Sequence, residues 1–145
     1  VNRNVPAAIK PASSVLVMGV GVNEWSLHLP FTTAPNLNDR KHYMVKAKIV
    51  REWRGATSIL GRSLRIPACE RIKVELHYVP AQERRRDPDN LVSALKPCCD
   101  GLVDAGIVPD DTERFVERVF PIIHKAHPTE PVQGSRFFLR VVRLR

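Results

Sequence analysis

Arg71-Ile72-Lys73-Val74-Glu75-Leu76-His77-Tyr78-Val79 alternates apolar and polar side chains without a break. A period of two places Ile72, Val74, Leu76 and Tyr78 on one face and Lys73, Glu75 and His77 on the other, which predicts a half-buried β-strand. Pro80 ends it. Downstream, the loop 81–88 carries three consecutive arginines, Arg84, Arg85 and Arg86, and then Asp87. Pro88 biases Asp87 away from the helical region, so a helix is expected to begin at Asp89, a good N-cap residue type. Leu91, Val92, Leu95, Cys98, Cys99, Leu102 and Val103 continue at helical spacing. Gly106 is a natural stop, and Pro97, which lacks an N–H, predicts a kink. Two more strands are expected near 114–123 and 136–144, with a proline-containing loop at 128–134 between them.

Upstream, residues 40–60 read as a helix, with Val45, Ile49, Trp53, Ala56 and Leu60 on one stripe and a basic opposite face. Gly61 is the expected stop. Trp25 to Phe31 alternates and predicts a strand, followed by a turn-rich loop from Thr32 to Asp39. Residues 1–23 read as a loosely held arm with a short strand at Val15–Met18, and residues 24–145 as one domain. The pattern predicts an α+β fold with a small mixed β-sheet and two main helices.

The chain has 145 residues, 43% hydrophobic and 26% charged, the profile of a soluble globular domain. Its formal charge of +8 points to a nucleic-acid partner, because lysine and arginine neutralise phosphates. The three cysteines, Cys69, Cys98 and Cys99, form no CxxC and suggest buried thiols in a reducing cytoplasmic setting. No apolar run approaches the ~20 residues that span a bilayer, and no secretory signal is evident. His124 and His127 with Cys69 have poor spacing for zinc. Trp25 and Trp53 lie on apolar faces and are expected in the core. Arg136, Arg140, Arg143 and Arg145 suit either a solvated strand edge or a phosphate track.

Against this basic background, six aspartates fall between positions 87 and 111. On a helix from Asp89, Ser93 falls at about +40°, Lys96 at about −20° and Asp100 at about +20°, so all four share a face. The turn after Ala105 lets Asp110 and Asp111 double back toward Asp87 and Asp89. Converging carboxylates repel one another and resist ionisation. A divalent cation removes that penalty, and Mg²⁺ prefers such oxygen ligands. The same acids can instead serve as a helix cap, as turn residues and as solvated charges.

Asp87-Pro88-Asp89-Asn90-Leu91, then Leu95-Lys96, Cys99-Asp100-Gly101-Leu102, Ala105-Gly106-Ile107-Val108 and Asp110-Asp111 resemble the ordered motifs of the RusA family of Holliday junction resolvases. Trp25-Ser26-Leu27-His28-Leu29-Pro30-Phe31 resembles the family's opening strand, and the likeness runs over roughly residues 24 to 144. The resemblance implies a dimeric, RusA-like nuclease domain, often phage-borne, that needs Mg²⁺ and nicks four-way DNA junctions in pairs. It implies Asp87, Asp89 and Asp111 as catalytic acids and metal ligands, with Asp110 beside them and Mn²⁺ as a substitute metal. The family's lysine lies three residues after the asparagine, where this chain has Ser93. Lys96 lies three residues further on, nearly one helical turn, and is taken as the catalytic lysine. Arginines replace the family's aromatic residues just before the DxD. Arg84, Arg85, Arg86, Ser93 and Asp100 are the expected DNA-facing residues. Partners are therefore branched DNA and a second copy of the chain, with roles in recombination and repair in a bacterial or phage-infected cell and no membrane. The competing readings are a basic DNA-binding module that does not cut and a Mg²⁺-dependent nucleotide hydrolase.

Overall fold

The computed structural model describes residues 23–36, 42–82, 86–126 and 136–145. In chain order the elements are β1 (Glu24–Leu29), α1 (Tyr43–Ser63), β2 (Arg71–Val79), one 3₁₀ turn (Pro88–Leu91), α2 (Val92–Asp104), β3 (Val116–Arg118), β4 (Ile122–Ile123) and β5 (Arg136–Leu144). This is the expected α+β class, with a mixed five-stranded sheet and two main helices. The expected arm, the strand at Val15–Met18, Arg84, Arg85, His127 and the loop 128–134 lie outside the described residues.

The sheet order is β1-β5-β2-β3, with β4 also pairing β2. β5 runs antiparallel to both β1 and β2, while β3 and β4 run parallel to β2. The register aligns Leu27, Leu139 and Leu76 in one row and Leu29, Phe137 and Tyr78 in the next. All six are buried and form one face of the core. Trp53 of α1, fully buried, meets Phe137 edge-on at 5.1 Å and stacks on Phe31 at 5.3 Å. α1 thus covers this face, and Leu95, Cys98, Cys99 and Leu102 of α2 join the same core.

Several expectations are corrected. The strand expected over 114–123 is two short ones, because Pro121 has no N–H to offer a ladder. β5 is an inner strand, so its arginines do not line a sheet edge; Arg140 is held by Glu24 and Glu75, while Arg136, Arg143 and Arg145 are exposed. Its Phe137, Leu139 and Val141 lie in the core, while Phe138, Val142 and Leu144 are half-buried. In α1 the buried residues are Trp53, Thr57, Ser58 and Gly61, while Val45 is exposed. The helix passes through Gly61 and ends at Ser63. Its stop uses Arg65 at φ 54° in the left-handed region, with Ile66 N–H donating to the Gly61 carbonyl at 3.2 Å. Gly106 does end α2 as expected, at φ 78° with Ile107 N–H donating to the Leu102 carbonyl at 3.1 Å.

α1 and α2 pack closely where α2 carries Gly101. A Cβ at that position would lie 2.5 Å from the Arg54 carbonyl oxygen and 2.8 Å from the Thr57 Cβ. Glycine is what lets the two backbones approach. The contact also brings Arg54 beside the acids of α2.

Candidate active site

The chain enters α2 through a turn that Asp87 organises. Its carboxylate accepts a hydrogen bond from Asp89 N–H at 3.0 Å, and its backbone is extended, as expected before proline. Asp87 therefore caps the 3₁₀ turn, and α2 proper starts at Val92, which corrects the expectation that Asp89 caps a helix. Asp89 sits inside the 3₁₀ turn and is exposed, so the shared face computed from an α-helix beginning there does not include it. Of the residues placed on that face, Lys96 and Asp100 do meet, at 2.8 Å. Ser93 instead donates to the Pro35 carbonyl at 3.0 Å and ties α2 to the β1–α1 connection.

The second aspartate pair follows the Gly106 turn. Asp110 accepts from Asp111 N–H at 2.8 Å. That bond orients Asp111, whose Oδ2 takes Lys96 Nζ at 2.5 Å and Arg118 Nη2 at 2.9 Å. Arg118 also donates to the Asp111 carbonyl oxygen at 3.0 Å, so it grips both ends of one residue. Arg118 is placed there by the parallel pairing of β3 on β2, in which it sits opposite Val74. Beyond Asp100, Arg54 makes a two-pronged contact with Asp104 at 2.6 and 2.8 Å and reaches Asp100 at 4.0 Å. Signs thus alternate along Asp104, Arg54, Asp100, Lys96, Asp111 and Arg118.

The electrostatics follow from these contacts. The hydrogen bond from Lys96 holds the Asp111 carboxyl below the usual carboxylate range, and burial opposes this without overcoming it. Lys96 is shifted up by its bonds to Asp100 and then Asp111, so it stays an ammonium. Burial pushes the Cys99 thiol up to about 11 and Cys98 higher still, which makes both inert core thiols as the sequence suggests.

Asp111, Lys96 and Asp100 are brought together, while Asp87 and Asp89 remain outside that clasp and, among the described residues, keep only local bonds. Among the described residues, no group of three or more His, Cys, Asp or Glu side chains is arranged to hold a metal ion. All four acids offer hard carboxylate oxygens, the donor type Mg²⁺ prefers. Their placement supplies two separate pairs, Asp87 with Asp89 and Asp110 with Asp111, and Asp111 is already paired with Lys96 and Arg118. Arg86 lies over the Tyr78 ring with its guanidinium carbon 5.2 Å from the centroid.

Sequence reasoning missed Arg118, which in sequence is one of many basic residues, and its partner arrangement depends wholly on strand pairing. It also missed a polar network on the sheet face away from α1. There Glu75 and His77 are buried although they alternate with the core residues of β2. Arg140 donates to Glu75 at 3.0 Å and to Glu24 at 2.7 Å. His77 bonds Glu75 at 3.0 Å through Nε2 and His124 at 2.9 Å through Nδ1, and its ring stacks on Phe138 at 4.5 Å. Burial raises the Glu75 pKa, but the bonds from His77 and Arg140 outweigh it, and the net shift is downward.

No helix among the described residues is long and apolar enough to cross a membrane. No family model matches the chain. The chain is similar to an uncharacterized protein of Xylella fastidiosa (strain Temecula1 / ATCC 700964), 32% identical over 98 residues, in a match that spans 63% of this chain and 62% of that protein. The chain therefore covers less than two thirds of that relative's length.

Proposed function

We propose that this protein is a structure-selective DNA endonuclease of the junction-resolving, RusA-like type, acting as a homodimer and using Mg²⁺, with Mn²⁺ as a substitute. The observation that carries the reading is the contact of Lys96 with Asp111, fifteen residues apart, which pairs the expected catalytic lysine with an expected catalytic acid. The surplus charge of +8 supplies attraction for a phosphate backbone. Asp87, Asp89 and Asp111, with Asp110 beside them, would hold the metal, which when bound lowers the pKa of water and offsets charge on the departing oxygen. Lys96 keeps its proton and offers a fixed positive charge toward a phosphate gaining negative charge. Asp100 holds Lys96 from the other side. Arg84, Arg85 and Arg86 bind the strand ahead of the acids.

A second reading, a basic DNA-binding module that does not cut, is favoured by one observation: Lys96 and Arg118 already neutralise Asp111. One assay separates the two. A four-way junction, a linear duplex and free nucleotides are each incubated with the protein, with and without Mg²⁺. Paired nicks in the junction alone, dependent on the metal, are expected. Binding without nicks would establish the module, and hydrolysis of nucleotides alone would establish a nucleotide hydrolase. Sedimentation should give about twice the chain mass of 16.4 kDa, because two matched nicks need two sites related by a two-fold axis.

A further inference from the structure

Beside Asp87 a cleft of about 960 Å³ opens between the β1–α1 connection, the ends of β2 and β5, and the 86–91 turn. That volume lies at the upper end of the range for small-molecule and cofactor sites. Its floor is aromatic: Tyr78 and Phe137 are buried and stacked on each other at 4.4 Å. Its walls are polar, with the Thr33 hydroxyl and the amides of Asn36 and Asn90. Arg86 forms part of the rim, its guanidinium fixed over Tyr78. Its Nε is buried and has no hydrogen-bond acceptor among the described residues.

An aromatic floor, amide groups able to read donor and acceptor edges, and a planar cation on the rim together suit a nucleobase with its attached phosphate. Asp87 borders the same cleft, so its occupant would lie beside the acids of the proposed reaction. We infer that the cleft takes one unstacked nucleotide of the DNA strand next to the cut, with a base or phosphate oxygen on the Arg86 guanidinium and the base edge facing Asn36 and Asn90. The inference rests on the nuclease reading and adds to it a subsite that selects the nucleotide flanking the scissile phosphate.

The test uses the full chain carrying Asp111→Asn, so that binding is read without cutting. Abasic sites are walked along the junction strand on either side of the cut. Removing the base at one position should weaken junction affinity about tenfold, the scale of losing one base contact. Adding Thr33→Trp, at an exposed residue on the rim, should fill the cleft and weaken binding of the intact junction by a similar factor. The same abasic site should then cost nothing further, the non-additivity expected of two changes at one contact. Asn36→Ala provides a second variant that removes an amide without adding bulk and should halve or better the abasic penalty. A penalty at no position, or one that persists in full in both variants, overturns the subsite while leaving the nuclease reading intact. A wild-type protein that cuts no junction overturns the nuclease reading, and with it the subsite. Free deoxynucleoside monophosphates should compete only weakly. Tight binding of them, blocked by Thr33→Trp and without effect on junction affinity, would assign the cleft to a free nucleotide instead.

Discussion

The turns at Asp87 and at Asp110 begin alike and end differently. In each, the first aspartate accepts a hydrogen bond from a backbone N–H one or two residues on, at 3.0 Å for Asp87 and 2.8 Å for Asp110. The second aspartate then diverges. Asp89 is exposed and in no ion pair among the described residues, whereas the Asp111 side chain is only 16% exposed and grips Lys96 and Arg118. Local chemistry, short polar side chains next to a free N–H, builds both turns. What separates them is long-range: α2 delivers Lys96 and β3 delivers Arg118 to the second turn only. One acid pair is thus open to an incoming ligand, and in the other Asp111 is held in place and ion-paired before any ligand arrives.

The largest expected effect tests whether both turns serve one reaction. Asp89→Asn and Asp111→Asn should each lower junction cleavage by at least about 10³ while junction binding persists. Stability should tell them apart. Asp111→Asn weakens two ion pairs and should cost about 1 kcal/mol in denaturant unfolding, whereas Asp89→Asn should change stability by less than about 0.5 kcal/mol. Full cutting by either variant would remove that turn from the site.

The next effects come from the cations on Asp111. Lys96→Ala should slow single-turnover cleavage by about 10²–10³, the usual loss for one charge-stabilising donor, with a much smaller change in affinity. Arg118 acts through Asp111 and is a positioning residue. Arg118→Ala should lower the rate by up to about 10² by letting the carboxylate wander. Its dissociation constant for the junction should stay unchanged, and Arg118→Lys should recover part of the rate. A loss of affinity as large as the loss of rate would make Arg118 a phosphate contact instead.

How far these differences could be read in advance depends on the range of the interaction. Arg71–Val79 forms a strand with the bounds its alternation predicts, because each side chain reports its own face, and Arg136–Leu144 forms a strand where one was expected. The Asp87 turn and the Gly106 stop are likewise local. The stripe of Ile49, Trp53 and Leu60 on α1 does meet the core, but the burial of Thr57 and Ser58 was illegible because they look like surface residues and are buried where α1 closely approaches Gly101. That β5 is an inner strand, and that Arg118 meets Asp111, follow from pairing between segments far apart in the chain. No single stretch encodes that pairing.

Gly101 offers a smaller handle on the same contrast. Gly101→Ala should cost about 1–3 kcal/mol, because the added methyl meets backbone rather than a yielding side chain. By pushing α2 from α1 it should also loosen Arg54 from Asp100 and Asp104, and so shift Lys96. The bond within the Asp87 turn does not cross that contact. Amide exchange should therefore rise along α2 and at Asp111, and Asp89 N–H should be unaffected. Equal loosening of both turns would mean that they are not independent.

The smallest effect is in pH, and it sets the Asp111 clasp against the network on the other sheet face. Asp111 has a folded pKa below its unfolded value of about 3.9. Folding therefore favours the carboxylate, and its contribution is complete above about 3.9 and is lost as pH falls through the lower folded value. His28, depressed by burial and by the charge of Arg136, and His124, depressed by partial desolvation and by His77, also titrate lower in the folded state. Folding favours their neutral rings, so their contribution is present above about 6.5 and fades as pH falls below it. Glu75, itself shifted down, keeps its charge through that window and remains paired with Arg140. Unfolding free energy measured by urea should thus decline first between neutral and mildly acidic pH, and again only below about pH 4. His28→Gln should flatten the first decline and leave the second, and Asp111→Asn should reduce the second and leave the first. A first decline that persists unchanged in both His28→Gln and His124→Gln would detach the histidines from it.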